Sequence, residues 1–222
     1  MTQIEHGKRG EPVKPRVAND YDPVAARYAE HFRDELMHKP FDMRMLDWFA
    51  ERVGDRGPIC DVGCGPGQVA GYLHGRGASV CGIDLSAAMV HHARVRNPDI
   101  EFQQGDMLAL TEIADDAFGG IVAFYAIVNL APTMLAPAFS ELRRVLRPDG
   151  VLLLSFHVGQ EMRHIDELLG VPVDLDFYFL KTENVKDRLR AAGLHVTEAI
   201  ERDPYPERVE HESRRAYIFA TA

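Results

Sequence analysis

Apolar residues recur at helical spacing over two stretches near the start of the chain. In VAARYAEHFRDELMHK the inward positions are Val24, Tyr28, Phe32 and Leu36, one face of a single amphipathic helix. Asp22 stands where it can cap that helix, and Pro23 suits its first turn. A second helix is predicted from about Phe41 to Val53, with Met45, Trp48, Phe49 and Val53 facing inward.

From Pro58 the pattern changes. Short apolar runs (ICDV, SVCGID, IEFQQ, GIVAFYAI and VLLLSFH) alternate with helical stretches. The helices run through Val69 to Leu73, from a cap at Ser86 through Val95, from about Thr133 to Leu146, and from a cap at Thr182 to Gly193, a residue suited to the left-handed position after a helix. Asn97-Pro98 and Arg147-Pro148-Asp149-Gly150 are breakers. The alternation predicts a doubly wound α/β domain, a mostly parallel sheet covered by helices on both faces. HVTEAIER and RAYIFATA have only a proline-containing turn between them, so they are expected to pair antiparallel at one edge.

Two segments stand apart. Residues 158–181 carry Met162, Ile165, Leu168, Leu169 and Phe177 among others, too apolar for a bare loop. They are expected to form part of a cap over a binding pocket, with a dimer contact or plain core packing as the alternative. Residues 1–19 are polar with Pro12 and Pro15 and are expected to be mobile, leaving residues 20–222 as a single domain.

Composition narrows the class. A chain of 222 residues, 46% of them hydrophobic, suffices for one domain with a full core. A formal net charge of -9 repels phosphates, so a nucleic-acid partner is not expected. No apolar run approaches the ~20 residues that span a bilayer, and the N-terminus lacks the apolar stretch of a secretory signal. A cytoplasmic protein without a membrane partner, monomeric or homodimeric, is the expectation. Cys60, Cys64 and Cys81 are an odd set, read as reduced and buried. A zinc site at Cys60 and Cys64 would need a second Cys/His pair, and none lies nearby.

Candidate chemistry gathers at strand ends, where ligands bind in such sheets. After the first predicted strand comes Asp61-Val62-Gly63-Cys64-Gly65-Pro66-Gly67. Its glycines let a ligand approach closely. Their alternate spacing is not the G-x-G-x-x-G of a dinucleotide site, and no Gly-Lys-Ser/Thr of a phosphate loop follows. Asp84 ends the second strand, about twenty residues on. Its carboxylate can accept from both hydroxyls of a ribose. Gly105-Asp106-Met107 follows the third strand, offering an acceptor for an exocyclic amine and a methionine to pack on a flat ring. In this order the three describe a pocket for an adenosine that lacks a pyrophosphate.

DVGCGPG, GIDLSAAM, GDM and LRRVLRPDGVLLLSFH together resemble the successive motifs of class I S-adenosylmethionine (SAM)-dependent methyltransferases, from about Tyr21 to the C-terminus. The resemblance implies a Rossmann-like seven-stranded sheet with an antiparallel final hairpin, SAM as cofactor and S-adenosyl-L-homocysteine (SAH) as product. It implies that Asp61, Gly63, Gly65 and Gly67 line the methionine part of SAM and that Asp84 holds the ribose. Leu85 and Met89 would flank the adenine, with Asp106 and Met107 at its edge. Tyr21-Asp22-Pro23-Val24-Ala25-Ala26-Arg27-Tyr28 resembles the Y-D-x-x-A-x-x-Y opening of small-molecule members. It implies that residues 20–55 form a lid with Tyr21 and Tyr28 over SAM. One departure stands out: Phe118-Gly119-Gly120 replaces the family's Phe-Asp, and a looser first turn of that strand is expected.

Methyl transfer is an in-line displacement governed by positioning, and a general base helps a hydroxyl acceptor. Phe124, Tyr125 and Asn129 follow the fourth strand and His157 ends the fifth. Phe124 is expected in the cofactor pocket, and His157 or Asn129 against the acceptor. His31 and His164 are weaker candidates. His157, His164 and Asp166 match no familiar metal spacing, so no metal is expected. The function these readings support is methyl transfer to a small-molecule acceptor at O or N. A protein or RNA acceptor, a nucleotide-dependent oxidoreductase and a SAM-binding regulator without catalysis are the alternatives.

Overall fold

The computed structural model describes residues 21–222, so the expectation of mobility for residues 1–19 lies outside the described residues. Among the described residues nine strands form, β1 Ile59–Val62, β2 Val80–Asp84, β3 Glu101–Gln104, β4 Phe118–Phe124, β5 Leu146–His157, β6 Met162–Leu168, β7 Val171–Tyr178, β8 His195–Arg202 and β9 Arg215–Thr221. The α-helices are α1 Ala25–His31, α2 Pro40–Val53, α3 Gln68–Gly75, α4 Ala87–Arg96, α5 Leu135–Val145 and α6 Thr182–Ala191. The main sheet has seven strands in the order β3-β2-β1-β4-β5-β9-β8. Its strands are parallel from β3 to β5, and β9 runs antiparallel to both β5 and β8. The chain reverses its direction of travel between β1 and β4, which puts the topological switch point at their carboxyl ends.

Strand alternation divides the core between the two faces. In β5, Leu152 and Leu154 pack on Phe139 and Leu142 of α5 and Leu189 of α6. Their neighbours Val151 and Leu153 share the opposite face with Leu46, Phe49 and Val53 of α2. Ala70, Val90, Ala93 and Phe102 form a smaller cluster near the other edge. Cys60 and Cys81 sit opposite each other in the β1–β2 register, and all three cysteines are free thiols.

The structure departs from the sequence expectations at five places. The first predicted helix is two pieces: α1 stops at His31, and a 3-10 turn at Glu35–His38 sends Leu36 toward α2. Asp22 does not cap its own helix. Its Oδ1 instead accepts from the Ser86 hydroxyl and, at 3.2 Å, from the Ala88 amide, at the start of α4. Thr182 is the first residue of α6 rather than its cap, and its hydroxyl donates to Glu201 Oε1 at 2.5 Å. The fourth strand ends at Phe124 rather than Ile127, because Tyr125 takes a left-handed φ of 54° and a 3-10 turn follows at Ile127–Asn129.

The fifth place is the Gly119-Gly120 pair: the β4–β5 register shifts between Phe118 and Gly120, so the first turn of the strand is irregular as expected, yet the pair is packed tightly. A Cβ on Gly119 would lie 2.5 Å from the carbonyl carbon of Arg56, and one on Gly120 2.5 Å from Val53 Cγ2. An aspartate there would strike the backbone after α2, so glycine is what this chain's close packing requires.

Residues 158–181 form an antiparallel hairpin, β6–β7, outside the main sheet. It turns at Leu169-Gly170, both at positive φ. Leu175 and Phe179 are buried beneath it, while Met162, Arg163 and Asp166 face outward. Among the described residues no helix is long and apolar enough to cross a membrane.

Candidate active site

The loop after β1 is built around backbone donors. Gly63 has φ +73°, and its N–H reaches the Ile83 carbonyl at 2.7 Å, tying the loop to β2. A Cβ there would lie 2.4 Å from that of Ala126. At Gly65, φ +52°, an added Cβ would meet nothing nearer than Gln68 Oε1 at 4.0 Å. Its backbone therefore faces open space in the cleft that it lines with Gly63.

Asp84 anchors that loop. Gly65 N–H donates to its Oδ2 at 2.8 Å and Ser86 N–H to its Oδ1 at 2.9 Å. Asp84 also lines the cleft. Leu85 and Met89 form the apolar wall next to it. Asp106 accepts from Leu108 N–H at 2.9 Å in a local turn, which presents Asp106 and Met107 to the same cleft. Phe124 lines the floor.

Asp61 and Gly67 do not line the cleft. Asp61 is 1% exposed. Its Oδ2 accepts from Ala70 N–H at 3.0 Å, capping the first turn of α3 from the strand beside it. Burial pushes its carboxyl up to about 8, against the opposing effect of the Ala70 amide. Gly67, at φ +81°, is the residue before α3, and a Cβ on it would lie 2.7 Å from Asn97 Nδ2 and 3.0 Å from Phe102. It lets α3 and α4 approach; its bare side faces away from the cleft.

The mouth is closed by three separate parts of the chain. Tyr21 donates to Asn129 Oδ1 at 3.0 Å, and Asn129 Nδ2 donates to the Asp176 carbonyl of β7 at 3.0 Å. Tyr28 packs edge-on against Tyr21 with centroids 5.9 Å apart, and both rings line the cleft. Burial pushes the Tyr28 phenol well up, with Tyr21 adding to the effect. Arg27 reaches the hairpin turn, donating to the Leu169 carbonyl at 2.9 Å.

His157 is not placed to act as a base. It lies outside the residues lining the cleft, held between the rings of Tyr125 and Phe179, each 5.3 Å away. Its Nδ1 is 2.9 Å from Ser213 Oγ. Burial, followed by the charge of Arg215, pushes its pKa down to about 3, so the neutral ring has little affinity for a proton at neutral pH. His164 is exposed on the hairpin beside Asp176, which raises its pKa, and His31 is exposed against Phe32. No group of His, Cys, Asp and Glu among the described residues could hold a metal.

The sequence reading missed what stands behind Tyr125. Tyr125 lines the cleft. Its hydroxyl is 3.3 Å from that of Tyr217, which donates to Asp42 Oδ1. Arg202, Glu210, Lys39 and Arg215 surround this chain of hydroxyls. The signal for Asp42 was present: it shares helical spacing with Met45, Leu46 and Phe49, so it had to be buried. Glu210 lies in the turn after a proline-containing stretch with no periodicity to place it, and Arg215, at the start of the predicted final strand, gave no sign of its buried partners.

Residues 59–150 match the family model of a methyltransferase domain. The chain carries a class I SAM-dependent methyltransferase domain. It is 32% identical over 164 residues to a malonyl-[acyl-carrier protein] O-methyltransferase of Enterobacter lignolyticus, covering 69% of this chain and 61% of that one. It is 37% identical over 135 residues to a trans-aconitate 2-methyltransferase of Rhizobium meliloti, covering 59% and 48%. The chain thus spans about half to three-fifths of the length of these relatives. A SAM-dependent methyltransferase structure from Methanosarcina mazei superposes with a TM-score of 0.69 at 17% identity, covering 77% of this chain and 94% of that one, which is a likeness of fold. SAM is the cofactor of this class of domain. The cleft of the methyltransferase domain fits it: an open glycine backbone at Gly65, a carboxylate at Asp84 on the cleft wall, and an apolar slot at Leu85 and Met89.

Proposed function

We propose that this protein transfers the methyl group of SAM to a small-molecule acceptor, at oxygen or nitrogen. The observation that carries the reading is the closure of the mouth. Tyr21, Asn129 and Asp176 form a continuous hydrogen-bonded bar over the cleft, and Arg27 ties the N-terminal segment to the hairpin. Such a bar favours a small acceptor over a folded protein or an RNA, and the net charge of -9 disfavours RNA further.

In this reading Asp84 takes the ribose hydroxyls and Gly63 and Gly65 bed the amino-acid part. Leu85, Met89 and Met107 hold the adenine, with Asp106 at its amino edge. Tyr21, Tyr28 and Phe124 close over the sulfonium end and exclude water. SAM, when bound, supplies an electrophilic methyl whose sulfur leaves neutral, so no protein acid is needed. The protein's part is alignment at near contact distance, which can account for on the order of 7–11 kcal/mol of a barrier. Asn129 sits at the acceptor side. Residues 158–181 serve as the acceptor cap.

Two measurements test this. Calorimetry should show SAH binding and no binding of NAD. Methyl-labelled SAM incubated with a source-cell extract should place label in the low-mass fraction. Label in protein or RNA would overturn the small-molecule reading, and SAH binding with no transfer to any fraction would favour a regulator.

A further inference from the structure

The buried chain Tyr125–Tyr217–Asp42 has a defined direction. Asp42 is wholly buried, and its Oδ1 takes the Tyr217 hydroxyl and, at 3.1 Å, Arg202 Nη2. A carboxylate paired with a guanidinium accepts from its other neighbours. Tyr217's single hydroxyl hydrogen is therefore spent on Asp42. Its oxygen accepts from Arg202 Nε at 2.9 Å, and the remaining hydroxyl contact, to Tyr125 at 3.3 Å, must be filled by Tyr125's hydrogen. Tyr125 thus turns its hydrogen away from the cleft it lines, and its oxygen keeps lone pairs only.

The surroundings hold this orientation. Lys39 Nζ lies 5.6 Å and the Arg215 guanidinium 5.8 Å from the centroid of the Tyr125 ring. His157 stacks on the same ring and is neutral. Glu210 pairs with Arg202 at 2.5 Å. At the far end Asp42 Oδ2 is buried and has no hydrogen-bond partner. Burial, followed by the charge of Asp42, pushes the Tyr125 phenol far up, so Tyr125 does not ionise to become a base itself.

We propose that Tyr125 receives the hydrogen of the methyl acceptor, selecting hydroxyl or amine acceptors over carboxylates, and that the proton leaves along Tyr125, Tyr217 and Asp42. This rests on the methyl-transfer reading above. The acceptor's X–H bond breaks as its X–CH3 bond forms. That proton goes to the Tyr125 oxygen while Tyr125's own passes to Tyr217 and Tyr217's to Asp42, which ends neutral. The methyl leaves its sulfur with the bonding pair on sulfur. After product release the proton returns to water by the reverse path. A carboxylate acceptor has no hydrogen to give and would face the lone pairs of Tyr125 without a bond, an unmade contact that such sites reject strongly. Tyr125 is the residue that touches the acceptor; Tyr217 and Asp42 position it.

Three readouts test the proposal. In the ligand-free protein, proton NMR should show a far-downfield hydroxyl resonance. It should vanish in Tyr217→Phe and Asp42→Asn and persist in Tyr125→Phe; persistence in Asp42→Asn would overturn the assigned direction. The labelled product formed from methyl-labelled SAM and low-mass extract should withstand mild alkali, as ethers and N-methyl groups do; label released as methanol marks a methyl ester and overturns the proposal. With that extract, Tyr125→Phe should lower kcat at least tenfold, the lower range of proton-transfer assistance, with KM for SAM and SAH affinity unchanged within threefold. An unchanged kcat overturns it. If Tyr125→Phe loses SAH binding through misfolding, Tyr217→Phe carries the same kcat test. No transfer by the parent protein, with SAH binding intact, overturns the methyl-transfer reading and this proposal with it.

Discussion

The Asp22 carboxylate accepts the Ala88 amide at 3.2 Å and also the hydroxyl of Ser86. It therefore caps α4 from outside that helix. Ser86 lines the cleft and itself accepts from Met89 N–H at 3.1 Å, so the segment that closes the mouth also finishes a helix end in the cofactor wall. Asp22→Ala should destabilise the protein by about 1 kcal/mol, the usual cost of a lost cap, and weaken SAH binding. Asp22→Asn, which keeps an acceptor oxygen, should recover most of both. Chemical denaturation and calorimetry on the pair check this; equal loss in both variants would count against capping.

Asp84 holds two loop amides and, in the proposed function, two ribose hydroxyls. Hydrogen bonds to a charged group contribute about 1.5–3 kcal/mol each. Asp84→Ala should therefore lower SAH affinity at least on the order of 10- to 100-fold. Adenosine, which keeps the ribose and lacks the amino acid, should suffer the same factor. Calorimetric titration of both ligands decides it: a loss confined to SAH would move Asp84 away from the ribose.

The donor side of the cleft was legible in the sequence because glycines and aspartates at strand ends have few other uses. Gly63, Gly65, Asp84 and Asp106 stood out by their order and their places after successive strands, and the structure brings all four to one cleft. Spacing could not say which side of the loop a residue faces, so Asp61 and Gly67 were assigned to the ligand although one caps α3 and the other abuts Asn97. The acceptor side was harder to read. Tyr125 enters the cleft through a left-handed residue inside a continuous apolar run, and its partners Asp42 and Tyr217 lie far from it in sequence. The segment at residues 158–181 stood out by its apolar content as more than a bare loop, but its hairpin alternation was masked by residues that are exposed on both strands.

Asp61 makes stability depend on pH in a direction opposite to that of most carboxylates. Its folded pKa stands near 8 against the ordinary 3.8. Between those values the folded protein holds a proton that the unfolded chain has lost. Stability contributed by this group is present below about 4 and declines as pH rises to about 8. Asp61→Asn does not titrate and should show a flatter profile across that window. Denaturation curves at pH 5 and at pH 8 in both proteins measure it. The difference between parent and variant should grow in the variant's favour toward pH 8, and a parallel pair of profiles would refute the assignment.

His157 gives the contrary slope on the acid side. Its folded pKa is pushed from 6.5 to about 3, so between those values the unfolded chain binds a proton that the folded protein refuses. Stability from this group is full above about 6.5 and falls as pH drops toward 3. His157→Gln keeps a polar side chain beside Ser213 without titrating, and should be less sensitive to acid than the parent between pH 6.5 and 4. The same variant separates structure from chemistry. Since the neutral ring of His157 lies outside the cleft, methyl transfer at pH 8 should fall no more than threefold, while Tyr125→Phe loses at least tenfold. Profiles of kcat against pH for both variants decide the matter. A large loss in His157→Gln with its stability preserved would return His157 to the chemistry and remove it from the wall that holds the Tyr125 ring.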